Sequence, residues 1–355
     1  MALGPVRERT DPAAEAGARG SRLSVIPVCL AAWAGCVLLN VAFGSKAIPM
    51  TEVIQALVAF DERNYDHFIV SSQRLPRALI ASFVGACLAV CGALLQGLTR
   101  NPLASPGLLG VSSGAVLFVV FFGFYWGVPN AWHGAVAFAG GWFGFFSCVL
   151  LARVARIAHD PRNLALILAG AIVSMAYAGI ASALVLANES LRAELLSWMS
   201  GNVNHYYIDR LTDVWFVGAG MLFVLLCLAP ALTLITLGSD KAAAAGVAVK
   251  PVTLCALTAA VAGAAAAVSV CGPIGFVGLV VPHLVRPVAG AHFSALFPAC
   301  ALVGAIVVLL ADVVARVVFA PYVLHTSVLM SLLGGLAFIV IVKRHYLTVG
   351  VAARP

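Results

Sequence analysis

The stretch RLPRALIASFVGACLAVCGALLQGLTRNPLASPGLLGVSSGA, residues 74–115, decides the fold. Two arginines and a proline precede an apolar run over 78–98 that holds no charge and ends in a polar turn with Asn101, Pro102, Ser105 and Pro106. That run has the length a helix needs to cross a bilayer, roughly 20 residues. It does not alternate apolar with polar positions as a barrel strand would, so its backbone hydrogen bonds must close within a helix. Pro102 starts the turn and blocks continuation of the helix.

The rest of the chain repeats this pattern. Of its 355 residues, 62% are hydrophobic and 10% charged, with a mean hydropathy of +1.04. A soluble domain carries about 25% charged residues, so that class is excluded. Apolar runs between polar breaks predict spans near 23–43, 78–98, 108–127, 131–152, 164–187, 212–236, 252–270, 273–285, 295–314 and 325–342. The eighth is short and interrupted by Gly275, Gly278 and Pro282, which suits a half-helix enclosed by protein. The expected fold is an all-α polytopic membrane protein of about ten helices. Residues 1–22 read as a disordered cytoplasmic tail, 23–345 as one transmembrane unit and 346–355 as a second cytoplasmic tail. The first apolar run is too long for a signal-peptide core and reads as an uncleaved span.

Sidedness follows from the basic residues. With the N-terminus inside, 14 lysines and arginines, among them Arg100, Lys241, Lys250 and Arg286, fall on the inner side. Seven fall outside: Lys46, Arg63, Arg74, Arg77, Arg192, Arg210 and Arg316. The split favours cytoplasmic termini. It also leaves no dense basic patch, which argues against nucleic acid as a partner. The nine cysteines sit in or beside apolar runs without metal-ligand spacing and read as small packing residues. None of the four lysines follows a glycine, so no P-loop can form. No metal dyad, Ser-His constellation or zinc motif points to an enzyme. The spans also lack the carboxylate and histidine chains of proton-driven pumps.

Small residues crowd the spans, as in Gly140xxxGly144 and in the set Gly85, Ala86, Ala89, Gly92 and Ala93, and they predict close helix contacts. A shift of 180 residues aligns Val90, Cys91, Gly92 and Pro102 with Val270, Cys271, Gly272 and Pro282, an echo that shared turn geometry also explains. Arg74 and Arg77, three apart, share one helical face if a helix begins there. Projecting into water they can grip carboxylates, or they can anchor the helix at lipid headgroups. Asp312 and Arg316, four apart, can pair on one helix. A lone His283 after Pro282 reads as a helix-end hydrogen-bonding group.

The block at 74–115 resembles the FecCD-type permease family, the membrane subunits of ATP-driven importers for ferric siderophores, haem and cobalamin. LGSDKAAAAGV at 237–247, GPIGFVGLVVPHLVRPVAG at 272–290 and LLADVVAR at 309–316 are similar to further family blocks in the same order. The resemblance implies a type II importer permease in the cytoplasmic membrane, with no cofactor. It implies a second permease subunit, identical or paralogous, a pair of ATPase subunits and an extracytoplasmic binding protein. Arg74, Arg77 and Arg316 match arginines that dock glutamates of the binding protein. Lys241, Ala242, Ala245 and Gly246 fall in the loop that couples to the ATPase. Trp198, Asn202, Asn204 and His205 fall near the substrate entrance, a segment that reads equally as an interfacial helix anchored by Trp198, Tyr206 and Tyr207.

The last block departs from the family pattern: His325 and Ser327 stand where a proline and a glycine are expected, and Leu336 and Ala337 follow Gly334 and Gly335. The expected cargo is a ferric siderophore, with haem next and cobalamin third. Two other classes remain open, an ion-coupled secondary transporter and a receptor or structural membrane protein.

Overall fold

The computed structural model describes residues 25–343 except 45, 156–163, 188–191, 320, 321 and 323, so both expected tails, 1–22 and 346–355, lie outside the described residues. In chain order the helices are α1 (Val25–Ala42), α2 (Met50–Val58), α3 (Tyr65–Ile69), α4 (Leu75–Thr99), α5 (Val111–Tyr125), α6 (His133–Val154) and α7 (Leu164–Ala187). They continue as α8 (Arg192–Met199), α9 (Ile208–Leu237), α10 (Ser239–Ala244), α11 (Val249–Cys271), α12 (Val277–Ala289), α13 (Phe293–Val317) and α14 (Thr326–Val342). Among the described residues there is no strand.

All ten expected runs are helical, and among the described residues seven helices are long and apolar enough to span a membrane. The other three, Val111–Gly123, Val277–Ala289 and Thr326–Val340, are shorter apolar helices. Gly272 (φ +75°) and Phe276 (φ +65°) turn the chain between α11 and α12, so α12 is short as expected, but Gly278 and Pro282 lie inside it and do not interrupt it. The second run differs from expectation at its start. One π turn, Val70–Arg74, joins α3 to α4, so helix runs without a break over Tyr65–Thr99 and encloses both arginines.

α4 lies at the centre, packed against α9, α11, α12 and α13, and few of its side chains reach the surface. Glycine makes this possible. A methyl group on Gly85 would overlap the backbone of Gly304 in α13, and one on Gly92 would overlap Gly278 in α12. Gly140 and Gly144 of α6 meet Gly114 and Gly110 of the α5 segment in the same way. The helices therefore touch backbone to backbone, the contact that drives association where lipid removes the hydrophobic effect between helices. His283 Nε2 lies 3.0 Å from the Pro102 carbonyl oxygen and ties α12 to the turn after α4, in keeping with a hydrogen-bonding role.

Replacing Gly304 by Val forces a branched side chain into the α4–α13 contact. Overpacking of this kind costs about 1–3 kcal/mol. The expected result is a lower unfolding temperature of the detergent-purified protein, while Gly335→Ala, at a site with open space, leaves it unchanged.

Candidate functional site

The polar chemistry concentrates at the end of the bundle where α4 begins. Asp312, on α13, is completely buried. Its carboxylate accepts from Arg77 Nε at 2.9 and 3.0 Å, pairs with Arg77 Nη2 at 2.8 Å and with Arg316 Nη2 at 3.0 Å, one helical turn on. Asn40 Nδ2 donates to it at 3.2 Å from α1, and Thr326 Oγ1 at 3.2 Å from α14. Four helices thus meet on one carboxylate.

Arg74 takes a different role at the same end. Its Nη1 donates to the carbonyls of Val41 (2.8 Å) and Ala42 (2.6 Å), and its Nη2 to that of Lys46. Arg316 Nη2 also reaches the Asn40 carbonyl at 3.1 Å. The last carbonyls of α1 have no partner within their own helix, and two guanidinium groups supply one, favoured by the negative end of the helix dipole.

This corrects the picture of arginines projecting into water. Arg74, Arg77 and Arg316 are 5%, 9% and 9% exposed. The cause is the early start of the helix: α3 and the π turn precede α4, and residues 46–73 form a cap against Arg74, whose Nη2 reaches the Lys46 carbonyl. That cap is held by Lys46–Asp66 at 2.6 Å and by Glu52, which accepts from Asn64 at 3.0 Å and faces His67 at 3.3 Å. The Asp312–Arg316 pair expected from sequence is present.

The segment 198–207 packs over the break between α11 and α12. Asn202 N donates to the Cys271 carbonyl at 2.8 Å, and Ser327 N reaches the Gly201 carbonyl at 3.4 Å. Trp198 is 7% exposed and packs in a cluster with Ala115, Val116, Ala181 and Val268. Asn202, Asn204 and His205 are half-buried; Asn204 Oδ1 accepts from Tyr206 N at 3.4 Å, and the His205 and Tyr206 rings lie 4.0 Å apart.

At the opposite end, α10 is a six-residue helix between α9 and α11. Lys241, Ala245 and Gly246 are exposed, as are Ala243 and Ala244, which sequence reasoning had not singled out. Ala242 is fully buried and so is an anchor for the knob, not part of its outer face. Gly246 (φ +84°) reverses the chain, and Val247 N returns to the Ala242 carbonyl at 3.0 Å. A cavity of about 690 Å³ beside it is lined by Arg100, Asp240, Lys241 and Lys250. Among the described residues no cluster of side chains could hold a metal ion.

The FecCD transport family model matches residues 31–344. The chain belongs to the FecCD transport family. Among relatives of this FecCD chain is the Fe(3+) dicitrate transport system permease protein FecD of Escherichia coli (strain K12), 34% identical over 337 residues that cover 91% of this chain and 99% of FecD. The Fe(3+)-citrate import system permease protein YfmD of Bacillus subtilis (strain 168) is 33% identical over 329 residues, covering 91% and 96%. A chain of an inward-facing metal-chelate type ABC transporter superposes with a TM-score of 0.76 at 27% identity, covering 91% of this chain and 99% of that one. As a FecCD member the chain is the membrane permease of an ABC importer, and the alternatives of a secondary transporter or a receptor fall away.

Asn40 and Thr326 were not legible from spacing, because their partner Asp312 lies 272 and 14 residues away. The departing residues His325 and Ser327 flank Thr326, so the departure borders the hub of side chains around Asp312.

Removing Asp312 leaves two buried guanidinium groups without their counter-charge. Asp312→Ala is expected to cost about 3–5 kcal/mol, whereas Thr326→Val removes one neutral hydrogen bond and costs about 1 kcal/mol. Chemical or thermal unfolding of the two variants should separate them clearly; equal losses would show that the carboxylate carries no special weight.

Proposed function

We propose that this chain forms, with a second permease subunit, the pathway by which a ferric siderophore or similar iron chelate enters the cell across the cytoplasmic membrane. The reading is supported by family membership over residues 31–344 and by relatives whose names specify ferric citrate. Haem and cobalamin are the competing cargoes. Both termini lie in the cytoplasm, so the Arg74 end faces outward and α10 inward, as the distribution of basic residues favours.

The chain offers no nucleotide-binding loop, so ATP is hydrolysed by a separate pair of ATPase subunits seated against α10. The exposed Lys241, Ala243, Ala244, Ala245 and Gly246 form a knob with little side-chain bulk, suited to a groove. A loaded binding protein docks on the outer end. There Arg77 and Arg316 share the single carboxylate of Asp312 while Arg74 is held by backbone carbonyls, and the excess positive charge of the three attracts an acidic surface. Being buried, the arginines act from beneath that surface, and direct pairing with a partner's carboxylates requires the cap over 46–73 to move. The docked protein and ATP drive the cycle only through contacts that differ between the two access states.

Uptake of radiolabelled iron chelate in a strain lacking the gene should be restored by the intact chain and competed by unlabelled ferric siderophore. Restoration of haem or cobalamin uptake alone would overturn the assigned cargo. Two substitutions separate the partners. Arg74→Gln leaves the Asp312 pairs intact and should weaken binding-protein association in a salt-dependent manner, whereas Ala245→Arg should uncouple the ATPase without touching that association. A binding-protein affinity indifferent to Arg74→Gln would remove Arg74 from docking.

A further inference from the structure

Outside the hub and α10, one cavity combines opposite charges with an apolar floor. About 560 Å³ in volume, it lies between the first turns of α6 and α9, at the same end of the bundle as Arg74. Trp132, Phe138, Val214 and Phe216 form the apolar part, and Arg210 and Asp213 line it as well. Trp132 is 64% and Phe216 59% exposed, on a face where Trp215 and Phe223 also point away from the protein. Such a face meets lipid, and tryptophan at the end of a span marks headgroup depth.

The two charges are the informative feature. Arg210 and Asp213 are three apart on α9, a spacing at which opposite charges commonly pair. They do not: among the described residues neither forms an ion pair. Arg210 is drawn aside, with Nη2 donating to the Asn130 carbonyl at 2.8 Å and its guanidinium carbon 4.6 Å from the centre of the Tyr207 ring. A fixed cation and a separate carboxylate thus line one cavity, and a ligand carrying both an anion and a cation satisfies both at once.

We propose that this cavity holds one phospholipid of the leaflet at the Arg74 end, with a phosphoethanolamine headgroup. Its phosphate lies on Arg210, its ammonium donates to Asp213, and an acyl chain runs along Trp132, Phe138 and Phe216. An anionic glycerol headgroup satisfies Arg210 but sets its charge near Asp213. A choline headgroup has the right charges but no N–H to donate, so it binds less well.

The full-length protein, purified in mild detergent and titrated with phosphatidylethanolamine, phosphatidylglycerol or phosphatidylcholine under native mass spectrometry, tests this. Wild type is expected to retain phosphatidylethanolamine about tenfold more tightly than either competitor, the ratio that a single charge-assisted hydrogen bond can supply. Asp213→Asn should erase that preference while phosphatidylglycerol still binds. Arg210→Gln should weaken all three, with unfolding temperature measured alongside to confirm an intact fold. Equal affinity of the three lipids for wild type, or a preference that survives Asp213→Asn, would overturn the proposal.

Discussion

The carboxylate of Asp312 is the constraint on which the Arg74 end of the bundle depends. Arginine in a transmembrane helix costs roughly 2.5–3.5 kcal/mol at the bilayer centre even by the mildest scales, and two of them side by side also repel. Asp312 meets both with one group, and Asn40 and Thr326 complete its hydrogen bonds. A buried ion pair is favourable only when its remaining donors and acceptors are satisfied in good geometry. Here that condition recruits α1 and α14 to a contact already made by α4 and α13.

The two ends of the molecule follow opposite rules. One is polar and locked: guanidinium groups close the carbonyl end of α1, and a salt-bridged cap lies against Arg74. The other is small and smooth, a short helix anchored by Ala242 and turned by Gly246. Between them α4 and α13 touch through Gly85 and Gly304 with no flexible side chain to absorb a shift. Contacts this close make the pair move as a unit, because a packed interface deforms in steps and not continuously.

The helical spans were legible because lipid leaves the chain few alternatives: a charge-free run of bilayer length must be a helix. The glycine contacts were legible for the same reason, as small residues are what allow helices to approach. What sequence could not show was depth. Arg74 and Arg77 looked terminal because the apolar run was expected to begin at residue 78, yet Tyr65 to Arg74 already form helix through a π turn. Ala242 looked like its neighbours in an alanine run, and only the packing of α10 separates the buried methyl from the exposed ones. Asn40 carried no signal, since its meaning is set by a residue near the other end of the chain.

That distance has a consequence for biogenesis. The ribosome releases Asn40 long before Asp312, Arg316 and Thr326 exist, so α1 enters the bilayer with the side chain and carbonyl of Asn40 waiting on the last two spans, while the carbonyls of Val41 and Ala42 meet Arg74 earlier. Arg77 likewise arrives without its counter-ion. Assembly of the hub is therefore a late, post-insertion event, and any nascent chain halted before residue 312 exposes unneutralised arginine to the insertion machinery and to membrane proteases.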